Sequence, residues 1–447
     1  MTLLFVLPEY PPDYGGGIAT YYSALLPALV EQGHTVDVLV GSAFTSGSRE
    51  YEHQGVTVRM LEGRRTEKLM PFYSRYAATP EVQRHLAASR ALWEQTDGGA
   101  GYDVVETVDW GLLFAPWVAE AEVPVRVRMA GSSGQISTYD TVPGKELAGE
   151  LLRLIEVGLL PAAHALHSTS RANVAFWERM TGRPVTYAPP PVVPREVAEG
   201  PRRAQGFVAA RVQEWKGPQV LADALRQLGP AAPVVEWAGR TVPHPRTGEP
   251  YDDVLRREYP GVWGDRVVQI GRIPPDEVAR RQATAQFVVV PSLWDVYNFS
   301  ASEAMLQGAM LICSDGAGSV DLVTHGQNGF VFASGNAGDL AEQVQTVLSL
   351  DGKQRARVSA EARETILRET DPARVAAASL VAYQAISATA SPAEPAPWTS
   401  AAVAPGGTVS LDDVLRHLPL RSLLAHAAER VGGKLRDRLP FAHPRNE

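Results

Sequence analysis

Short, almost wholly apolar runs recur along the chain. Each gives way to a polar turn and then to a stretch whose apolar residues return at helical spacing. An apolar run too short for a helix reads as a strand buried on both faces, the kind found in parallel sheets. TLLFVLP (2–8), TVDVLVG (35–41), YDVVETV (102–108), VPVRVRMAG (123–131) and HALHSTS (164–170) read this way. Between the first two, Tyr22, Leu25, Leu26 and Leu29 form one face of a helix that Gly33 closes. WGLLFAPWVAEA (110–121) and RANVAFWERM (171–180) predict further helices. A second series runs through GFVAARV (206–212), PQVLADALRQL (218–228), PVVEWAG (233–239), RVVQIGRI (266–273), PDEVARRQATA (275–285) and QFVVV (286–290). Such alternation predicts parallel, doubly wound α/β sheets, and 447 residues suit two domains plus an extension. The proline-rich, charged stretch 186–206 lacks periodicity and reads as the linker. The expected division is a first domain over 1–190, a second over 191–370, a crossover helix over 371–388, and a Pro/Ala-rich tether with an amphipathic tail over 389–447.

The densest candidate chemistry follows QFVVV, in PSLWDVYNFSASEAMLQG (291–308). A strand that stops, turns through small residues and starts a helix presents free N–H groups, and the helix dipole adds partial positive charge. Asn298, Phe299, Ser300 and Ala301 stand at that turn. Glu303, in the first turns of the helix, can accept from a sugar hydroxyl such as a ribose, and Asp295 can touch a second sugar. Arg211 and Lys216 follow the first strand of the second series, at the sheet edge where open α/β folds bind ligands. Two cations there can neutralise a diphosphate, or be surface charges beside a linker. Gly16 and Gly17 precede the first helix and read either as a close-approach loop for a ligand or as a flexible turn.

Together these motifs resemble the retaining nucleotide-sugar glycosyltransferases of family 4. The pattern PS-x-x-acid-x7-E-A-M-x-x-G is the family's signature, with Asp295 in place of its first glutamate and VYN in place of GFG. The opening PPDYGGG…ALVEQGHTVDVL is also similar to the family's. The resemblance covers about 3–40 and 206–350 well, and 41–205 by pattern. It implies the GT-B fold, two Rossmann-like domains facing a cleft, the first binding the acceptor and the second the donor. It gives Arg211 and Lys216 the diphosphate, Arg272 and Ile273 the frame of the base, and Gly16 and Gly17 a place between donor phosphates and acceptor. Asp109, Trp110, Ser132 and Ser133 fall on the acceptor side. It also implies transfer with retention from a nucleotide-diphosphate sugar to a glycan, lipid or small-molecule acceptor, with no cofactor and no metal. The lack of an Asp-x-Asp motif agrees with that. Two departures stand out: Ala130 sits where members often carry a histidine, and Gly316-Ala317-Gly318 replaces a Gly-Gly pair. They keep open a catalytically silent partner subunit that binds nucleotide or glycan, and, ranked below it, an epimerase on the same fold.

Composition narrows the setting. A net charge of −8 argues against a general nucleic-acid binder. Cys313 is the only cysteine, so no intrachain disulfide forms, and its apolar setting ILICSD predicts a buried inert thiol. The first residues lack a basic region and a long apolar run, so the expectation is a cytoplasmic protein. The tail VSLDDVLRHLPLRSLLAHAAERVGGKLRDRL carries leucines on one face. It reads either as a peripheral membrane or partner contact, or as a helix packed on its own domains.

Overall fold

The computed structural model describes residues 1–12, 16–140, 145–388, 394–395 and 397–407, with single positions beyond (410, 412, 413, 416, 424 and 428). The first half contains strands β1 (Thr2–Leu7), β2 (Thr35–Val40), β3 (Glu50–His53), β4 (Val56–Met60), β5 (Val104–Val108), β6 (Val125–Met129), β7 (Ala165–Ser168) and β8 (Val185–Tyr187). They form one sheet in the order β3-β4-β2-β1-β5-β6-β7-β8, parallel except for β3. The second half contains β9 (Gly206–Ala209), β10 (Val235–Ala238), β11 (Val267–Gly271), β12 (Val288–Val290), β13 (Leu311–Ser314) and β14 (Phe330–Phe332). Their order is β11-β10-β9-β12-β13-β14, parallel throughout. The central strands are apolar on both faces because helices cover both: Leu3 to Leu7, Val288 to Val290 and Leu311 to Cys313 are all buried. Each sheet has its own core, and Phe299 packs against both halves.

The edge hairpin β3–β4 lay outside the sequence reading. Its turn places Gln54 (φ 53°) and Gly55 (φ 78°) in the left-handed region, the geometry of a tight two-residue hairpin. Alternation from Val56 to Met60 buries Val56, Val58 and Met60.

Helix Pro372–Ala388 returns to the first sheet, where Val375, Ala376 and Tyr383 join its core. Tyr383 donates to the buried Glu106 at 2.7 Å, which also accepts from Tyr22 (2.8 Å) and Arg126 (3.1 Å). Burial disfavours the Glu106 charge, yet His167, Arg126 and the Tyr383 hydrogen bond hold its carboxyl below the usual range. The tether expected over 389–447 is corrected at 397–407. Helix Pro397–Val403 docks on the first domain, with Thr399 and Ala402 fully buried. Tyr76 donates to the Ala402 carbonyl (3.0 Å), Tyr73 to that of Val403 (3.0 Å), and Arg75 to those of Ala402 (2.6 Å) and Ala404 (2.7 Å). Small side chains let these backbone groups come within reach. The amphipathic tail lies almost wholly outside the described residues. Among them, no helix is long and apolar enough to cross a membrane.

Candidate active site

The C-terminal ends of β9, β10 and β12 gather the second domain's polar side chains at the cleft. Arg211 follows β9; it is exposed and makes no ion pair among the described residues. Arg240 follows β10; desolvation, and after it the nearby Arg240 charge, lowers the pKa of the Arg211 guanidinium. Sequence reasoning passed over Arg240, although its place after a parallel strand was a usable signal. Lys216 ends the turn Glu214–Lys216, and its ammonium lies 4.2 Å from the Trp215 ring centroid. It is ion-paired with Asp295 Oδ2.

Asp295 is fixed from two sides. Besides Lys216, Asn298 Nδ2 donates to the same oxygen at 3.0 Å. Asn298 has φ 79° and precedes helix Phe299–Leu306. Asparagine tolerates that conformation, so it can stand where the family pattern has glycine. Ser300 donates to the Ala209 carbonyl at 2.8 Å, tying the helix start to the end of β9, and Ala301 is fully buried beside it. The departure at 316–318 also has a physical account. A Cβ at 316 would lie 2.4 Å from the Leu293 carbonyl and one at 318 would lie 2.1 Å from that of Val296, whereas Ala317 is buried without conflict. The two glycines that this turn needs are therefore both present.

Glu303 is half-buried on the same helix and makes no side-chain hydrogen bond among the described residues. Burial pushes its carboxyl up to about 7, with Arg195 opposing. A desolvated carboxylate without a partner is prepared for a hydroxyl donor. Arg272 is exposed and Ile273 half-buried, just beyond β11.

The first domain contributes less of what sequence suggested and more of what it did not. Gly16 caps helix Gly17–Glu31 and Gly17 lies against the Phe299 ring, 3.8 Å from an added Cβ. The helix terminus, however, is taken by the chain's own Glu9, which accepts from the Ala19 N–H at 3.1 Å. Asp109 and Ser132, expected to face the acceptor, are fully buried instead. Asp109 accepts from the Ala130 N–H (2.8 Å), and burial pushes its carboxyl up to about 8. Ser132 donates to the buried Glu156 (2.6 Å), whose carboxyl burial raises to about 7. Asp109 and Glu156 thus hold the loop Ala130–Ser133 from below. Ser133 accepts from the Gly111 N–H (3.0 Å), and half-buried Trp110 packs edge-on against His85.

That loop starts helix Ser133–Tyr139, which reaches across the cleft. Tyr139 stacks on Trp294 with centroids 4.4 Å apart and planes 4° from parallel. Trp215 covers Trp294 from another side at 5.5 Å, and Gln213 donates to Asp140 at 2.6 Å. The chain neighbours of Trp215 and Trp294 are Lys216 and Asp295, so the interdomain contact is built onto the ion pair. Among the described residues, no group of His, Cys, Asp or Glu is arranged to hold a metal ion.

Two Rossmann-like sheets with a cationic cluster at the C-terminal edge of the second form the GT-B architecture. The family model for the glycosyl transferase 4-like domain matches residues 16–191, and that for glycosyl transferases group 1 matches 196–365. The chain belongs to glycosyltransferase family 4. It is 25% identical over 392 residues to an uncharacterized glycosyltransferase, MJ1607, of Methanocaldococcus jannaschii, covering 78% of this chain and 89% of that one. Among solved structures it is similar to Anabaena HepE in complex with UDP and glucose (TM-score 0.63, 17% identity, 86% of this chain and 100% of that one). It is also similar to sucrose-phosphate synthase from Thermosynechococcus elongatus (0.66, 19%, 86% and 99%). A third is the UDP-forming α,α-trehalose-phosphate synthase of Burkholderia xenovorans in complex with glucose-6-phosphate (0.65, 15%, 86% and 100%).

Proposed function

We propose that this chain transfers a glycosyl group, with retention, from a uridine-diphosphate sugar to a carbohydrate, glycolipid or small-molecule acceptor. The observation that carries the reading is the convergence of Arg211, Arg240 and the Asp295-held Lys216 at one sheet edge. Three cations can balance the charge that builds on a departing diphosphate without a metal ion. Glu303 would hold the ribose. In the retaining scheme the leaving diphosphate itself takes the acceptor's proton, which asks the protein only for positioning. The uridine assignment is supported by the UDP and UDP-glucose complexes of HepE. The test is a thermal-shift screen of UDP-, GDP- and ADP-sugars in EDTA, followed by donor hydrolysis. UDP-sugars are expected to raise Tm and to be hydrolysed in EDTA. A rate that collapses there and returns with Mg2+ or Mn2+ would refute the metal-free mechanism.

A second reading, a nucleotide- or glycan-binding partner subunit without turnover, is favoured by Glu9, whose carboxylate occupies a helix terminus open to a phosphate. Donor binding with no hydrolysis or transfer across the panel would select it.

The Tyr139–Trp294 stack gives a further expectation. Tyr139→Ala should leave UDP affinity within about threefold, since no charged contact is lost. It should also raise donor hydrolysis relative to transfer, because the cleft no longer closes against water. Tyr139→Phe should behave as wild type. An unchanged hydrolysis-to-transfer ratio in the alanine variant would remove the stack from the mechanism.

A further inference from the structure

A cavity of about 800 Å³ opens at the outer edge of the first sheet, away from the cationic cluster of the second domain. Its wall carries Arg49, Arg59, Arg64 and Arg65 against Glu50 and Glu62, two more positive than negative charges in a chain whose net charge is −8. Glu62 alone serves Arg64 at 2.8 Å and Arg65 at 3.5 Å. Arg65 reaches Glu62 through its buried Nε. Arg59 donates to Tyr102 at 3.0 Å and stands 3.9 Å from Asp37.

The walls are held in place by backbone. Gly47 N–H donates to the Leu61 carbonyl (2.8 Å) and Met60 N–H to that of Arg49 (3.1 Å). Gln95 accepts from the Glu62 N–H (3.1 Å) and donates to the Met60 carbonyl (2.9 Å). The cavity therefore exists before any ligand arrives, which lowers the ordering cost of binding. It lies where the chain leaves β2 and β4, at the C-terminal edge of the sheet, the edge from which the loops after β5 and β6 also emerge.

We propose that this cavity binds the phosphate of a phosphorylated acceptor, so that the acceptor of the proposed transfer is a phosphate monoester. Guanidinium forks match phosphate oxygens two at a time, and such charge-assisted contacts are about twice as strong as neutral ones. The volume is far larger than one phosphate ion needs and leaves room for a sugar beside the Ser46 and Ser48 hydroxyls on the same wall. The inference rests on the glycosyltransferase reading for the word acceptor, but its test is binding alone.

The experiment titrates the full chain with glucose 6-phosphate, glucose and inorganic phosphate, and separately with UDP. It compares wild type with the double variants Arg64→Ser/Arg65→Gln and Arg64→Lys/Arg65→Lys. Glucose 6-phosphate is expected to bind at least tenfold more tightly than glucose or inorganic phosphate. The Ser/Gln variant should lose that binding by roughly tenfold or more, and the Lys/Lys variant should keep part of it. UDP binding should be the same in all three, which also shows that the variants fold. A parallel arm sediments the proteins with phosphatidylcholine vesicles with or without phosphatidic acid. Sedimentation that needs phosphatidic acid and fails in the Ser/Gln variant would place the phosphate on a lipid headgroup. Binding unaffected by the Ser/Gln change, or no tighter for glucose 6-phosphate than for inorganic phosphate, would overturn the proposal. Loss of UDP binding in wild type would instead strike the donor reading and leave this one standing.

Discussion

Lys216→Ala is expected to weaken UDP binding by roughly ten- to a hundredfold, the loss typical of one charge-assisted contact of about 1.5–3 kcal/mol. Lys216 is already paired with Asp295, and that pairing aims it. An ammonium has three donors, so one bond to Asp295 leaves others for a phosphate oxygen. The same substitution is expected to lower stability, because the largely buried Asp295 carboxylate keeps only Asn298 as a side-chain donor. Arg211→Ala should weaken UDP binding comparably and leave stability nearly untouched, since Arg211 is exposed and makes no ion pair among the described residues. Calorimetry with UDP and thermal melts of both variants test this. Wild-type affinity in both would sink the diphosphate assignment. A drop in Tm for Lys216→Ala with unchanged affinity would make the ion pair purely structural.

How legible this site was depends on how local each contact is. Lys216, Asp295 and Glu303 could be placed at strand ends and on the following helix from spacing, because neighbouring sequence fixes both elements. The fold was legible for the same reason: apolar runs as short as QFVVV, alternating with helical stretches, fit a covered parallel sheet. Asp295 was read as sugar-facing. Its side chain turns to Lys216 instead, a contact between positions 79 residues apart that no local pattern encodes. Glu9 at the first helix terminus and Asp140 against Gln213 were missed because both depend on where loops close. Asp109 and Ser132 were expected on the acceptor side of the cleft. Polarity suggested exposure, whereas both are buried: Asp109 accepts from the Ala130 N–H and Ser132 donates to Glu156. The docking of Pro397–Val403 had no signature at all, since Tyr73, Arg75 and Tyr76 bind its carbonyls rather than its side chains.

Glu303→Gln is expected to move stability and donor binding in opposite directions. Burial raises the Glu303 carboxyl from its usual 4.5 to about 7, so the folded state keeps a proton that the unfolded chain releases. The sign follows from that difference: the group's contribution is at its most favourable below about 4.5 and is lost as pH rises toward about 7. Above that, wild type carries a desolvated charge that costs on the order of 1–3 kcal/mol. Glutamine mimics the neutral acid, so the variant should melt higher than wild type at pH 8 and equally at pH 4. Donor binding needs the charge, because a ribose hydroxyl donates more strongly to a carboxylate than to an amide oxygen. Affinity for UDP at pH 8 should therefore fall by roughly tenfold in the variant. Wild-type affinity should also tighten between pH 6 and 8 by more than the variant's, the excess isolating Glu303 from titration of the phosphates. Parallel pH profiles for the two proteins would show that Glu303 does not touch the nucleotide. A variant no more stable at pH 8 would show that its carboxyl is not held neutral by burial.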